Sequence, residues 1–282
     1  MTHVLKAWRT ALLPFCFVLY AIVVLGVLLL AALARTRLFP RVWLRHAPYQ
    51  ACKLISVTAH IGLMGMKTKV DARLRPFRHD ERIVVIANHP SLAAAPLFAG
   101  ILGDLLKREL VFVGKKEHLR NPFVGWPLKL LDAAIFIDRS DGEAAINELM
   151  RELPRYFARG AVVVMLPDQY RLTQEKLLAD QHKFREHGID THLFEHTLVP
   201  RTGGLRQILL AAGANARVID VTAGCSCREF GNDDIPKMPG STYHFHAEDV
   251  PHGLPTDKHE LGLRLVRRWV TKNRLLGGWK TA

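Results

Sequence analysis

The chain has 282 residues, of which 49% are hydrophobic, so it can bury a full core in one substantial α/β domain without disulfides or structural metals. Of its four cysteines only Cys225 and Cys227 are close in sequence, which excludes a four-cysteine zinc site, and we expect all four to be reduced. The formal net charge of +13 predicts an acidic partner, which restricts the candidates to nucleic acid, anionic lipid or a phosphorylated substrate.

Residues 11–34 form an apolar run that contains no Asp, Glu, Lys, Arg or His. As an α-helix this run would be ~36 Å long, enough to cross a hydrocarbon core of about 30 Å. Alternatively, the run is a signal peptide that is cleaved after Ala34, because it is preceded by the basic residues Lys6 and Arg9. The length of the run and the basic residues that follow it favour a retained membrane anchor. By the positive-inside rule the rest of the chain is cytoplasmic, because the run is followed by Arg35, Arg37, Arg41 and Arg45.

The basic residues are concentrated directly behind the apolar run. Residues 35–78 include ten Lys or Arg and a single acid, Asp71. Such a block beside a membrane segment indicates contact with lipid headgroups. Nucleic-acid binding rests on charge alone, since the chain shows no aromatic stacking platform or reading helix. The predicted partners are therefore membrane lipids and not nucleic acid.

A second helix is predicted within residues 41–66, lying at the membrane interface with Trp43 and Tyr49 at the level of the headgroups. The alternative is an ordinary core helix of the soluble domain. We assign residues 1–70 to a membrane module made of a transmembrane helix and this interfacial helix. Residues 71–282 are assigned to one α/β domain, since no linker or internal repeat divides them.

Short apolar runs then alternate with helix-length segments. The runs are residues 83–87, 110–113, 134–137, 161–166, 197–199, 217–221 and 243–246. Runs that are apolar throughout predict a mostly parallel sheet with helices on both faces. A capping box at residues 140–143 predicts a helix that ends at Gly160, and Asp257 precedes a C-terminal helix. That last helix places Leu261, Leu265 and Trp269 on one face.

The first of these runs stops at the turn Asn88-His89-Pro90-Ser91. In an open α/β sheet, ligands bind outside the carboxyl ends of the strands, so His89 is a candidate general base. The alternative is a histidine that only hydrogen-bonds its own turn.

Further polar blocks follow other predicted strands, at residues 114–117, 138–139, 167–171 and 199–204. If the sheet is parallel, all of them lie at the same edge as His89. The guanidinium groups of Arg139, Arg171 and Arg201 are forked donors suited to phosphate. A base beside a phosphate clamp indicates a phosphorylated alcohol as the acceptor.

These blocks carry a family resemblance. Asn-His-Pro-Ser at 88–91, Ile-Phe-Ile-Asp-Arg at 135–139, Leu-Pro-Asp at 166–168 and Leu-Val-Pro-Arg-Thr-Gly-Gly at 198–204 resemble, in this order, the glycerolipid acyltransferases. This is the family of 1-acylglycerol-3-phosphate acyltransferase. The Pro-Arg-Thr block and residues 268–276 look most like its lysocardiolipin-type branch. The resemblance covers roughly residues 82–210 and the C-terminal helix.

The resemblance implies a membrane-bound O-acyltransferase of α/β fold, on the cytoplasmic face of a membrane that we expect to be a bacterial inner membrane. His89 would deprotonate the hydroxyl of a lysophospholipid, which attacks the thioester of acyl-CoA or acyl carrier protein. No metal or bound cofactor is implied. The resemblance and the suitability of the guanidinium groups for phosphate together give the predicted substrate-binding residues, which are Asn88, Lys115, Arg139, Pro167, Asp168, Arg171 and Arg201.

The chain departs from the family at the acid of its Asn-His-x-x-x-x-Asp motif, which would fall at position 94 and is Ala94 here. The acceptor block also has Asp168 and Gln169 in place of Glu and Gly. In a serine-protease triad, loss of the orienting carboxylate costs ~10⁴ in turnover. Either Ala94 is an introduced inactivating substitution, which the intact remaining blocks favour, or the natural protein is a weak or inactive relative. The alternative function is a catalytically silent lipid-binding protein with the same fold.

The pattern His-x-x-Glu-His at residues 192–196 matches that of inverted zinc peptidases. That chemistry requires both histidines on a stable helix and a third ligand, whereas this segment leads into a predicted strand. Metal binding is therefore not predicted here.

Overall fold

A seven-stranded sheet forms the centre of the protein in a computed structural model that describes residues 8, 11–35, 46–78, 80–89, 91, 93–185, 190, 193–227 and 235–281. The strands are β1 (Lys67–Arg73), β2 (Ile83–Ala87), β3 (Leu110–Lys115), β4 (Ala134–Ile137), β5 (Val162–Met165), β6 (Arg217–Cys225) and β7 (Thr242–Asp249). Their order is β1-β7-β6-β2-β5-β3-β4. Strands β2 to β6 are parallel, and only the contact between β6 and β7 is antiparallel. The predicted mostly parallel sheet is confirmed.

Helices cover both faces of this sheet. They are α1 (Leu13–Arg35), α2 (Ala47–Ile55), α3 (Ala95–Leu106), α4 (Gly125–Leu130), α5 (Gly142–Ala158), α6 (Gln174–Arg185), α7 (Gly203–Ala212) and α8 (Lys258–Thr281). Helix α2 continues as a π-helix (Ser56–Leu63), and short 3₁₀ turns occupy Lys116–Arg120 and Ile235–Lys237. Alternate residues of β2 point to opposite faces. Val84 and Ile86 join the core formed with α5, α7 and α8, whereas Ile83, Val85 and Ala87 join the core formed with α3.

Two predicted helix starts are present in the structure. The carboxylate of Asp141, rather than the Ser140 hydroxyl, caps α5 by accepting the N–H groups of Glu143 (3.1 Å) and Ala144 (3.0 Å). Gly160 follows the end of α5 in the left-handed region at φ +75°. Asp257 accepts the N–H of Glu260 at the start of α8, and the predicted apolar face of α8 is fully buried.

The prediction of a strand at residues 197–199 is wrong. Leu198 and Val199 are buried, but the segment forms no hydrogen-bonded ladder with a neighbouring strand. Its backbone N–H groups bond to a side chain and to a loop carbonyl instead. The N–H of Val199 donates to Asp180 (3.1 Å), and that of Arg201 donates to the carbonyl of Pro167 (2.8 Å). An apolar run therefore shows that a segment is buried but does not show what its backbone pairs with.

Strand β1 was not predicted. All seven of its residues are exposed, so it has no apolar pattern, and it pairs with β7 at the edge of the sheet. The predicted domain boundary after residue 70 falls inside this strand.

Helix α1 is long and apolar enough over Leu13–Leu33 to cross a membrane. One face packs on the domain, where Val27 and Ala31 contact Leu131 and Ala133 after α4. The opposite face is exposed and includes Phe15, Phe17, Val18, Ile22, Leu25, Leu29 and Leu30. The predicted N-terminal apolar helix is thus attached to the fold along its length.

Helix α2 also packs on the domain. Gly103 of α3 lies so close to Tyr49 that an added Cβ would be 2.5 Å from its ring. The ring of Tyr49, predicted at headgroup level, therefore contacts α3 instead. Trp43 lies outside the described residues.

A buried arginine joins the ends of three segments at the amino edge of the sheet. The guanidinium of Arg217, 2% exposed, pairs with Asp249 (2.6 Å) and Glu81 (3.2 Å). Removing one partner from a buried ion network leaves charge uncompensated, at a cost of about 3–5 kcal/mol.

We therefore expect Arg217→Met to lower the free energy of unfolding by about 3–5 kcal/mol. The matched control is Arg264→Met, which removes an exposed pair with Glu260 on α8 and should cost less than about 1 kcal/mol. Urea unfolding followed by tryptophan fluorescence measures both. Equal losses of unfolding free energy in the two variants would contradict the stabilising role of the buried Arg217 network.

Candidate active site

His89 lies immediately beyond the carboxyl end of β2, and Asn88 fixes the backbone before it. The Asn88 amide donates to the carbonyl of Ala223 (2.8 Å) and accepts the N–H of Ala223 (2.9 Å). This buried pair extends the contact of β2 with β6 beyond the last ladder pair. The amide of Asn88 thus fixes the backbone just before His89, and Asn88 also lines the cleft beside it. Substrate binding by Asn88 stays a prediction.

Asp168 holds His89 from the opposite side. Its Oδ2 accepts the backbone N–H of His89 at 2.9 Å, and its Oδ1 has no hydrogen-bond partner among the described residues. The residue is 4% exposed, and burial raises the pKa of its carboxyl to about 7 against the opposing effects of the His89 N–H and the Lys272 charge. Asp168 was predicted to contact the acceptor. The structure instead places its carboxylate, buried, against the backbone of His89, and contact with the acceptor stays a prediction.

Lys272 of α8 brings a positive charge beneath this turn. It is 1% exposed, forms an ion pair with Asp220, and donates to the carbonyl of Val221 in β6. Arg268 reaches the same Asp220 at 2.8 Å. Burial lowers the pKa of Lys272, while Asp220 and Asp168 oppose this shift. Lys272 was not predicted as a site residue; its signal in the sequence is that it continues the buried face of α8 three residues after Trp269.

Ala94, which occupies the position of the family's acid, is fully buried at the start of α3. Its N–H donates to the hydroxyl of Ser91 at 3.2 Å. The carbonyl of the preceding Ala93 accepts from Nε2 of His60 at 2.6 Å, and burial lowers the pKa of His60. The turn is therefore held from both ends, and Asp168 is the carboxylate bonded to His89.

Three cations from three different strand ends meet beside this turn. Lys115 ends β3 and lies 4.4 Å from the ring centroid of Tyr170, while Arg139 follows β4 and donates to the carbonyl of Gln169 (2.7 Å). Burial, and then the charges of Lys115, Arg139 and Arg171, lower the pKa of His118. The charges of the predicted Lys115, Arg139 and Arg171 therefore all act on His118, which no sequence pattern had marked.

Gln169 stands in the turn after β5 with φ +61°, a left-handed conformation that favours glycine. Its N–H donates to Leu166 (3.0 Å), and its carbonyl receives Arg139. A glycine would adopt this left-handed backbone conformation without strain, and the family resemblance places a glycine at this position.

Arg201 and Pro167 lie away from the cleft. The guanidinium of Arg201 pairs with Asp180 of α6 at 2.7 Å, and Pro167 is buried. Both were predicted to bind substrate, whereas these contacts fix the loop after β5 to α6.

A small cleft opens beside His89 between β6 and α8. Arg171 and Ser91 line it together with Ala223, Gly224, Cys225, Leu276, Lys280 and His196. The ammonium of Lys280 donates to Nδ1 of His196 at 3.2 Å. His196 had been considered only within the zinc-peptidase pattern, whose His192 lies outside the described residues. No group of three possible metal ligands occurs in the described part of the chain.

Comparisons with known proteins identify the family and the fold. The sequence profile of the Acyltransferase family matches residues 69–223, more than half of the chain. A 1-acyl-sn-glycerol-3-phosphate acyltransferase of Pseudomonas aeruginosa is 33% identical over 92 residues, and the match spans 32% of each chain, about a third of that relative's length.

The fold also has a solved counterpart. The crystal structure of the 1-acyl-sn-glycerophosphate (LPA) acyltransferase PlsC from Thermotoga maritima has a TM-score of 0.54, 19% identity and 95% coverage of both chains. This likeness confirms the sheet and the helical N-terminus. The resemblance to the lysocardiolipin-type branch stays a prediction. On its sequence match, the chain belongs to the Acyltransferase family.

Proposed function

We propose that this chain is a membrane-associated O-acyltransferase that transfers an acyl group from acyl-CoA or acyl carrier protein to the hydroxyl of a lysophosphatidic acid-like acceptor. The observation that carries the proposal is the position of His89. It stands at the carboxyl edge of a parallel sheet, bonded to a buried carboxylate and beside a cluster of cations.

The reaction follows from these groups. A ring nitrogen of His89 takes the proton of the acceptor hydroxyl, and the hydroxyl oxygen forms a bond to the thioester carbonyl carbon. The carbon–sulfur bond then breaks, and the leaving sulfur takes the proton back from His89. The products are an ester and a thiol, so protons and electron pairs balance without a metal or bound cofactor. Lys115, Arg139 and Arg171 attract the acceptor's phosphate.

Asp168 supplies the negative charge that Ala94 lacks. The carboxylate of Asp168 accepts the backbone N–H of His89. Once the His89 ring is protonated, this carboxylate stabilises the imidazolium by Coulomb attraction in a low-dielectric site. The charge of Lys272 favours the ionised form of Asp168. The chain therefore retains catalysis without the family's acid. The second candidate, a silent lipid-binding protein, is favoured by Ala94 alone.

The exposed face of α1 contacts the bilayer. Leu54, Val57 and Ile61 of α2 and its π-helical continuation extend this apolar surface. Acyl chains can then enter from the membrane in which the helix lies. With the basic residues that follow α1, this arrangement supports a catalytic domain on the cytoplasmic face of a bacterial inner membrane.

Acyl transfer from a labelled acyl thioester to lysophosphatidic acid in liposomes tests the activity. We expect transfer by the unaltered chain, a loss of ~10²–10⁴-fold in His89→Ala, and a gain of about tenfold or more in Ala94→Asp, which adds a second carboxylate. Ala93→Asp, which adds the same charge one residue earlier, should give no gain. If all variants bind the lipid but remain inert, the silent lipid-binding protein is the correct reading.

The pH dependence of kcat/KM tests the role of Lys272. Asp168 has a pKa of about 7 with Lys272 present, and removing that positive charge raises the pKa further. Lys272→Met should therefore lose activity at pH 7 and regain it at higher pH. Arg268→Met removes another cation that pairs with Asp220. It should not change the pH at which kcat/KM falls on the acid side of the profile. A uniform loss at every pH would assign Lys272 a purely structural role.

Flotation with anionic liposomes tests the membrane contact. Leu25→Asp introduces a charge on the exposed face of α1, where insertion costs ~2.5–3.5 kcal/mol, and should reduce the bound fraction. Leu178→Asp, at an equally exposed leucine of α6, should bind like the unaltered chain. Equal flotation of the two variants would refute the contact through α1.

A further inference from the structure

The cleft beside His89 has a wall that sequence motifs did not mark. Strand β2 lies between β5, followed by β3 and β4, on one side and β6 on the other. Lys115 and Arg139 approach from the side of β3 and β4. The last turns of α8 lie against β6, where Leu276 is so close to Gly224 that a Cβ on the glycine would be 2.6 Å from it. Helix α8 therefore forms the second wall of the cleft.

This wall carries Lys280, and its surroundings hold the side chain in place. The ammonium donates to Nδ1 of His196, and the backbone N–H of His196 donates to Oδ1 of Asn273 in α8 (2.7 Å). The next residue, Trp279, stacks on His244 of β7 with 4.9 Å between ring centroids. These contacts come from three separate parts of the chain, so Lys280 is presented to the cleft by a built arrangement.

The charge of the cleft is positive. Arg171 and Lys280 both line it, and none of its described lining residues is an acid. The charge of Arg171 also acts on His118, as do those of Lys115 and Arg139.

The chemistry of the acceptor restricts where its phosphate can be. In a lysophosphatidic acid-like molecule, the reacting hydroxyl and the phosphate are on neighbouring carbons. When the hydroxyl reaches His89, the phosphate therefore lies within a few ångströms of it, within reach of the cleft. The cations that line this cleft are Arg171 and Lys280.

We propose that Lys280, held by His196, is a phosphate-binding residue for the acceptor and closes the phosphate site from the side of α8. The assignment rests on the proposed function and adds a residue to it. Lys280 donates to the phosphate on one side while Arg171 donates from the loop after β5. His196 acts through Lys280 and is a positioning residue.

The test compares two acceptors that differ only in the phosphate, lysophosphatidic acid and the corresponding monoacylglycerol. Loss of a charge-assisted hydrogen bond should lower kcat/KM of Lys280→Gln for lysophosphatidic acid by about tenfold to a hundredfold. The rate with monoacylglycerol should not change, and Lys280→Arg should restore most of the loss. Arg274→Gln, at an exposed cation of the same helix, is the matched control.

Equilibrium dialysis of the full chain with labelled glycerol 3-phosphate provides a readout without catalysis, and Lys280→Gln should bind this probe more weakly than Arg274→Gln. Suppose that the unaltered chain transfers acyl groups and that Lys280→Gln prefers lysophosphatidic acid over monoacylglycerol as strongly as the unaltered chain. The assignment of Lys280 is then wrong, while the proposed function stands. If the unaltered chain neither transfers acyl groups nor binds the probe, the proposed function fails as well.

Discussion

The backbone of the turn at Asn88 and His89 is bonded on both sides, and the active site depends on this clamp. The amide of Asn88 pairs with β6, and the carboxylate of Asp168, just after β5, accepts the N–H of His89. Asn88 and Asp168 are both buried, so loss of either contact would leave a desolvated polar group at a high cost in free energy. The middle strand of the sheet and the candidate base therefore share one constraint.

Charge is layered around this clamp. Below it, Asp168 and Asp220 are buried with Lys272, and the partly exposed Arg268 also reaches Asp220, so each carboxylate lies near a cation from α8. Above it, cations face the cleft, and no acid is found among the described lining residues. In the proposed reaction, this arrangement would stabilise a proton on His89 from below and attract an anionic substrate from above. One helix, α8, contributes to both layers through Lys272 and Lys280.

The sequence was sufficient for the parts of the fold that depend on local pattern. The limits of β2 and β4 follow from apolar runs that end at turn residues, and their parallel arrangement brings Lys115, Arg139 and Arg171 to one edge. Strand β1 could not be found, because an exposed edge strand has no apolar face. Roles that depend on distant partners were equally out of reach. Asn88 bonds a residue 135 positions away, and Asp168 and Arg201 are likewise engaged by contacts that no motif displays.

The packing of α2 has a consequence for how the protein can be divided. Its π-helical continuation carries His60 to the carbonyl of Ala93, and Tyr49 fills the space beside Gly103 of α3. Deleting the N-terminal helices would strip a face of α3 and remove a support of the turn that precedes it. The N-terminal helices are therefore part of the packed fold and not a separable appendage. Replacing them with another apolar segment would require rebuilding the core beneath His89 at the same time.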